Sequence, residues 1–396
     1  MTFKRIKWIL YVMLGIFTLF FTNDVGLINV ERTAIVAALG IDKETDGYAV
    51  TVQIALPQST GQSSGNQKTT VMAQGKTIAK AIGEMADKTG WYPKLSFCNL
   101  IVLGEDFLTN NADIGGALDF FNDSSELQDS ALLTVCKGKA NKLLNTLSPL
   151  DNLSAFALEK VFFGNINRSG HIYVLNAKDF RQRTLSLSKT ALLPFVECLP
   201  AKMENGEQST QTANLNSQSS VGKEGQGEES YLYNATNTLI FKNGLCVGKL
   251  DKEQTTCVNG LIKRIKQAET QVQDGDETAL IKVQKTTPKI SVELSGNIPL
   301  VHISMNMLCE VTDYSNAKDK DTSKYQFTKE LKRATEQKFT ELTQSLIQKI
   351  KESNADFLGL HEKLYRKYPK KYQRIQSTFL QDFLYDVNIT VTGVKS

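Results

Sequence analysis

Histidine is scarce in this chain. Only His171, His302 and His361 occur in 396 residues, far apart and without ligand-spaced partners, so no metal site is legible. The six cysteines (Cys98, Cys136, Cys198, Cys246, Cys257 and Cys309) form no C-x-x-C pair, which removes the usual redox motif. Cys98, Cys136 and Cys309 lie in apolar, strand-like runs and read as small core residues. Cys246 and Cys257 are the close pair, either free or bridged. There is no G-x-S-x-G, Walker A, H-E-x-x-H or GxGxxG sequence, so no catalytic or cofactor-binding motif is present. Charge of one sign is lacking as well. The net charge is +4, and the bulk balance gives nucleic acid no support as a partner.

Two weaker features have plain structural readings. Gly115-Gly116 reads as a helix irregularity rather than a phosphate cradle. Glu310, between Cys309 and Val311, reads as a strand-face acid beside a lysine rather than a functional carboxylate.

One stretch is both uncharged and apolar throughout. Trp8 to Phe21 (WILYVMLGIFTLFF) is fourteen uncharged residues behind Lys4, Arg5 and Lys7. A basic flank before an apolar run is the layout of an export signal, and it leaves the rest of the chain outside the cytoplasm. At about 1.5 Å per residue the run covers roughly 21 Å, short of a ~30 Å hydrocarbon layer. Thr22 to Gly26 nevertheless offers no A-x-A-like cleavage site, and Lys7 can snorkel to the headgroups. The preferred reading is an uncleaved anchor through Trp8, Ile9, Leu10, Leu14, Ile16, Phe17, Leu19, Phe20 and Phe21; a cleaved export signal is the alternative.

The chain is too long for one core, and hydrophobic patterning divides it. Residues 1–26 are the signal or anchor. Over 27–185, strands alternate with helices, giving a first mixed α/β domain. Ala34 to Ile41 is a near-continuous apolar strand, and Tyr48, Val50, Val52, Ile54 and Leu56 alternate after an Asp46-Gly47 turn. Ile78, Ile82 and Met85 mark a helix stopped by Gly90. Strands are expected over 97–103 and 131–136, and helices over 107–121, 140–147 and 153–163. Residues 186–275 read as a small middle domain. It has a strand over 185–197, a hairpin over 239–247 turning at Asn243-Gly244, and a helix over 256–266. Residues 203–230 interrupt it with almost no apolar side chains, and are expected to be disordered.

The last domain, 276–396, reads as β-β-α-α-β with helices on one face of a sheet. Ile290, Val292 and Leu294 alternate, as do Val301, Ile303, Met305, Met307 and Cys309. A helix runs from Phe327 to about Ser353. Asp356 is placed to cap a second helix, which Pro369 ends. The fold class is therefore α+β. The one basic cluster lies here: Lys363, Arg366, Lys367, Lys370, Lys371 and Arg374, interleaved with Tyr365, Tyr368 and Tyr372. It suits phosphates, anionic headgroups or an acidic partner surface. A solvated helix end with aromatic stems packed beneath it is the plainer reading.

Three stretches carry a resemblance. Thr33-Ala-Ile-Val-Ala-Ala-Leu-Gly-Ile-Asp42 with Tyr48 to Ile54 resembles the opening of the C-subunits of spore germinant receptors. Thr236 to Leu250 (TNTLIFKNGLCVGKL) resembles that family's strand, Lys-Asn-Gly turn and strand. Ala355-Asp-Phe-Leu-Gly-Leu360, then His361 to Pro369 and a terminal strand, resembles its closing domain. The resemblance implies a non-enzymatic, three-domain subunit without cofactors, at the outer face of the spore inner membrane. It also implies two membrane-embedded receptor partners and a role in nutrient-triggered germination. Where the family carries a lipobox cysteine followed by Trp-Asp, this chain has Asp24-Val25-Gly26, so no lipid can be attached there. An extracytoplasmic solute-binding protein would need two similar lobes, and an exported hydrolase a catalytic constellation; neither is legible.

Overall fold

The computed structural model describes residues 7–8, 11–17, 33–55, 68–109, 114–123, 127–201, 230–262, 266–274, 277–296, 298–314 and 327–394. Strand β1 (Thr33–Glu44) is organised as its apolar run predicts, buried on both faces from Val36 to Asp42. It pairs antiparallel with β2 (Gly47–Ala55), which pairs antiparallel with β3 (Lys68–Gly75). Short β4 (Tyr92–Lys94) joins the start of β1 in parallel. Beyond β1, the sheet continues in parallel through β5 (Leu100–Leu103) and β6 (Leu132–Cys136), with β7 (Leu175–Asn176) as a flap on β6.

The same sheet then runs on through β8 (Thr190–Pro200), β9 (Tyr231–Lys242) and β10 (Leu245–Leu250). The strands that the sequence reading assigned to a middle unit over 186–275 are thus hydrogen-bonded into the first sheet: Val135 pairs with Phe195 and Cys136 with Val196. The physical reason is that β6 has a free edge and β8 is apolar on both faces, so joining them buries both. Most of the expected disordered segment 203–230 lies outside the described residues.

Helices cover both faces of this sheet. On one side lie α1 (Ile78–Thr89), α2 (Ile114–Asp123) and α5 (Ala177–Thr184). On the other lie α3 (Ala140–Asn145) and α4 (Ser154–Arg168), where Leu143, Leu144, Leu158 and Phe162 pack on Leu100, Val102 and Cys136. Several expected boundaries shift. The strand expected from Phe97 starts at Leu100, because Leu95–Phe97 form a single 3-10 turn. The expected helix over 107–121 is in two described pieces, Asp106–Thr109 and α2. The strand expected from Leu185 starts at Thr190, after Lys189 turns the backbone at φ 48°.

A second sheet has the order β11 (Ala268–Asp274), β12 (Glu277–Ser295), β13 (Ile298–Tyr314), β14 (Leu384–Gly393), with β14 parallel to β13. The predicted β-β-α-α-β order gains β11 at its front, from residues assigned to the middle unit. Along β13, Val301, Ile303, Met305, Met307 and Cys309 are buried while the residues between them are half-exposed or, at Asn306, exposed, so one face meets the helices. Those helices are α7 (Lys329–Ser353), α8 (Leu360–Lys367) and α9 (Pro369–Ile375).

Helix α6 (Lys252–Leu261) joins the two sheets. It starts four residues before the expected Thr256, because Asp251 and Gln254 form a reciprocal capping box. All seven residues from Thr255 to Leu261 are buried, against β9, β12 and α7. Beyond its exposed first turn the helix has no outward face, and it makes the apolar core continuous from the first sheet to the second.

Candidate functional site

The stretch around Asp42 is structural in its geometry. The Asp42 carboxylate accepts the backbone N–H groups of Ala140 (2.7 Å) and Asn141 (3.1 Å), capping α3, whose own preceding residue Lys139 offers no side-chain cap. Burial raises the Asp42 pKa, with those two hydrogen bonds opposing it. A Cβ on Gly40 would meet Leu144 Cδ1 at 2.9 Å, and one on Gly104 would meet Asp42 Oδ1 at 2.2 Å. Leu-Gly-Ile-Asp therefore seats a helix on a sheet. Gln53 does the same beside it, donating to Leu144 O (2.8 Å) and Ser154 Oγ (2.9 Å) and accepting from Ala155 N (3.1 Å).

The other two stretches meet each other. The β9–β10 turn is Asn243-Gly244, at φ 50° and 79°, the positive values that a two-residue hairpin turn needs. Just before it, Lys242 Nζ donates to Asn354 O at the end of α7. Burial lowers the Lys242 pKa, and nearby Asp356 opposes the shift. Across the same junction, Ser188 N donates to Glu362 Oε1 on α8 at 3.0 Å. Burial alone would raise Glu362, but hydrogen bonds from Ser188, its own backbone and Ser186 hold it below its usual value.

Asp356 organises the α8 side. It is 1% exposed, and its Oδ2 accepts His361 N at 2.7 Å. The cap thus reaches from three residues before Gly359, which takes the N-cap position at φ 73°. Desolvation pushes the Asp356 pKa up to about 6, against hydrogen bonds from His361, Leu360 and Gly359. Pro369 ends α8 as expected, and does so by taking the first position of α9. A crevice of ≈ 550 Å³ opens at this junction, lined among others by Arg183, Ser188, Asp356, Glu362 and Arg366.

The basic cluster lies on the outside of this junction. Arg366, Lys367, Lys370, Lys371 and Arg374 are exposed and Lys363 is half-buried. Lys367 pairs with Glu293 at 2.9 Å. The tyrosines differ: Tyr372 is buried, with its hydroxyl 3.1 Å from His361 Nδ1, while Tyr365 is 44% exposed and stacks edge-on to it. Of the anchor residues, Trp8, Leu14, Ile16 and Phe17 are exposed on a helical stretch, and Ile9, Leu10, Leu19, Phe20 and Phe21 lie outside the described residues. Among the described residues, no helix is long and apolar enough to cross a membrane.

His171 is half-buried, its pKa lowered to about 4 by burial, and its Nδ1 lies 2.9 Å from Thr256 Oγ1. All six cysteines are free, and burial pushes Cys98, Cys257 and Cys309 up to about 12, far from a reactive thiolate. Among the described residues no group of three His, Cys, Asp or Glu side chains could hold a metal. Glu310 pairs with Lys282 at 3.5 Å, as its strand position suggests.

Two family models match in chain order: a spore germination protein N-terminal domain over residues 28–198, and a spore germination B3/GerAC-like C-terminal domain over residues 236–393. The chain belongs to the Ger(x)C family of spore germinant receptor C-subunits. It is 21% identical over 377 residues to spore germination protein KC of Bacillus subtilis (strain 168), covering 90% of this chain and 87% of that protein. The crystal structure of the GerBC protein superposes with a TM-score of 0.53 at 16% identity, covering 90% of this chain and 97% of that one, and so has the same fold. The family is not a known enzyme family, and its members serve in germination.

Proposed function

We propose that this chain is a non-catalytic, membrane-anchored subunit of a spore germinant receptor, with its bulk on the outer face of the spore inner membrane. The observation that carries the reading is the match of both family models across the chain, joined to an exposed apolar helical stretch at Tyr11–Phe17 behind basic residues. The scarcity of chemistry supports it, since the buried ionisable groups are engaged in capping helices and bridging elements. Its partners in this reading are two membrane-embedded receptor subunits, and the basic 363–374 surface is where they or anionic headgroups make contact.

The test is genetic and biochemical together. Spores lacking the chain should lose most of their response to one class of nutrient and regain it when the chain is returned. A variant lacking Trp8–Phe21 should leave the membrane fraction and fail to restore the response. Full restoration by that soluble variant would overturn the anchored-subunit reading.

A further inference from the structure

One end of the first sheet is unusually apolar. There β1 starts, β2 ends, β3 starts and α1 finishes, around a cavity of ≈ 660 Å³ whose walls include Ile35, Ile54, Val71, Met85, Trp91 and Pro93. Ile35 and Trp91 are 44% and 49% exposed, so the cavity reaches the surface. Tyr92 at 40% and Phe97 at 53% extend the patch, with Tyr92 paired in register to Thr33 at the start of β1. Four large apolar side chains gathered at one edge are more than the scattered exposure of an ordinary surface.

The position of this end in the chain says what can cover it. Phe17 lies in the apolar helical stretch and the sheet starts at Thr33, so the chain between these two residues reaches at most about 55 Å at full extension. The cavity lies where that connection enters. We infer that this end of the first sheet seats on the phospholipid bilayer, with Trp91, Tyr92, Phe97 and Ile35 at headgroup depth and the cavity open to the acyl region.

The inference rests on the anchored reading above. Tryptophan and tyrosine favour that depth because their rings are apolar with one polar edge. A short tether holds the patch at high effective concentration near the bilayer, so weak insertion suffices. Charge contributes little here: the residues lining the cavity are all uncharged, and Lys88 nearby is paired with Glu84. Seating should therefore occur on uncharged lipid and depend weakly on salt.

The chain has two tryptophans, one on each side of the question: Trp8 in the anchor and Trp91 in the patch. Full-length protein carrying Trp8→Phe or Trp91→Phe, reconstituted in phosphatidylcholine vesicles with brominated acyl chains, isolates each reporter. Trp91 emission should shift to the blue, be quenched by bromine placed near the headgroups, and be shielded from aqueous acrylamide. Adding Tyr92→Ser and Phe97→Ser to the Trp8→Phe chain should return Trp91 to acrylamide. If Trp8 is quenched by lipid while Trp91 is open to acrylamide, the seating is overturned and the anchor stands. If Trp91 is shielded from both quenchers, protein covers the cavity and the seating is overturned. If Trp8 itself escapes lipid quenching, the anchored reading falls and this inference falls with it.

Discussion

Asp356 is buried with its charge, and that has a measurable cost. Its pKa is raised from 3.8 to about 6. A carboxyl raised in this way contributes its full stability below the unfolded value and loses it as pH rises through about 6. The loss is of order 3 kcal/mol, taking about 1.4 kcal/mol per unit. His361 and His171 are lowered instead, so their contributions are present above 6.5 and fade as pH falls. The parent curve therefore mixes opposite slopes, and Asp356→Asn isolates one of them. The asparagine oxygen can still accept from His361 N. Denaturant unfolding should show the variant gaining on the parent steadily between about pH 4 and 7. A difference that does not change with pH would show that Asp356 does not titrate there. Gly104 is the sharper steric case: Gly104→Ala puts a Cβ against Asp42 Oδ1, displaces the cap of α3, and should cost about 2 kcal/mol or more in the same measurement.

Among the elements, α6 is where sequence reading and structure part most instructively. Its apolar spacing is legible only from Thr256, because residues buried on every side show no amphipathic stripe to read. The Asp251/Gln254 box was the available signal for its true start. Asp251→Ala should cost about 1 kcal/mol. Because α6 touches both sheets, backbone amides of β9 and β12 should lose hydrogen-exchange protection together; loss confined to one sheet would contradict the shared core. Period-two strands such as β2 and β13, and the Asn243-Gly244 hairpin, are legible because alternation and turn chemistry are local. The joining of β8 to β6 is not, since nothing in either strand names its partner. The same holds for the site: Asp356 is legible as a cap, whereas its charge interaction with Lys242, and the hydrogen bond of Glu362 with Ser188, depend on residues more than a hundred positions apart.

At the scale of the whole molecule, the basic surface of α8 and α9 is separable from the fold. Lys367 is already paired with Glu293, so the cleaner variant reverses Arg366, Lys370, Lys371 and Arg374 to Glu. Exposed charges of this kind contribute about 0–1 kcal/mol each, so the melting temperature should barely move. Recovery of the membrane partners should nevertheless weaken, more so at low salt. Unchanged recovery from a folded variant would mark the surface as merely solvated. The long excursion after β8 has a different consequence. Pro200 and Tyr231 are register partners, and Ala201 N donates to Ser230 O at 2.8 Å, so the chain leaves and re-enters the sheet at one point. The fold senses these two ends and hardly the distance along the chain between them, since doubling such a length costs only about 0.6 kcal/mol. This is a natural port. A fluorescent protein or affinity tag spliced in at this place should leave the sheet undisturbed and report on the protein from a position remote in sequence from both termini.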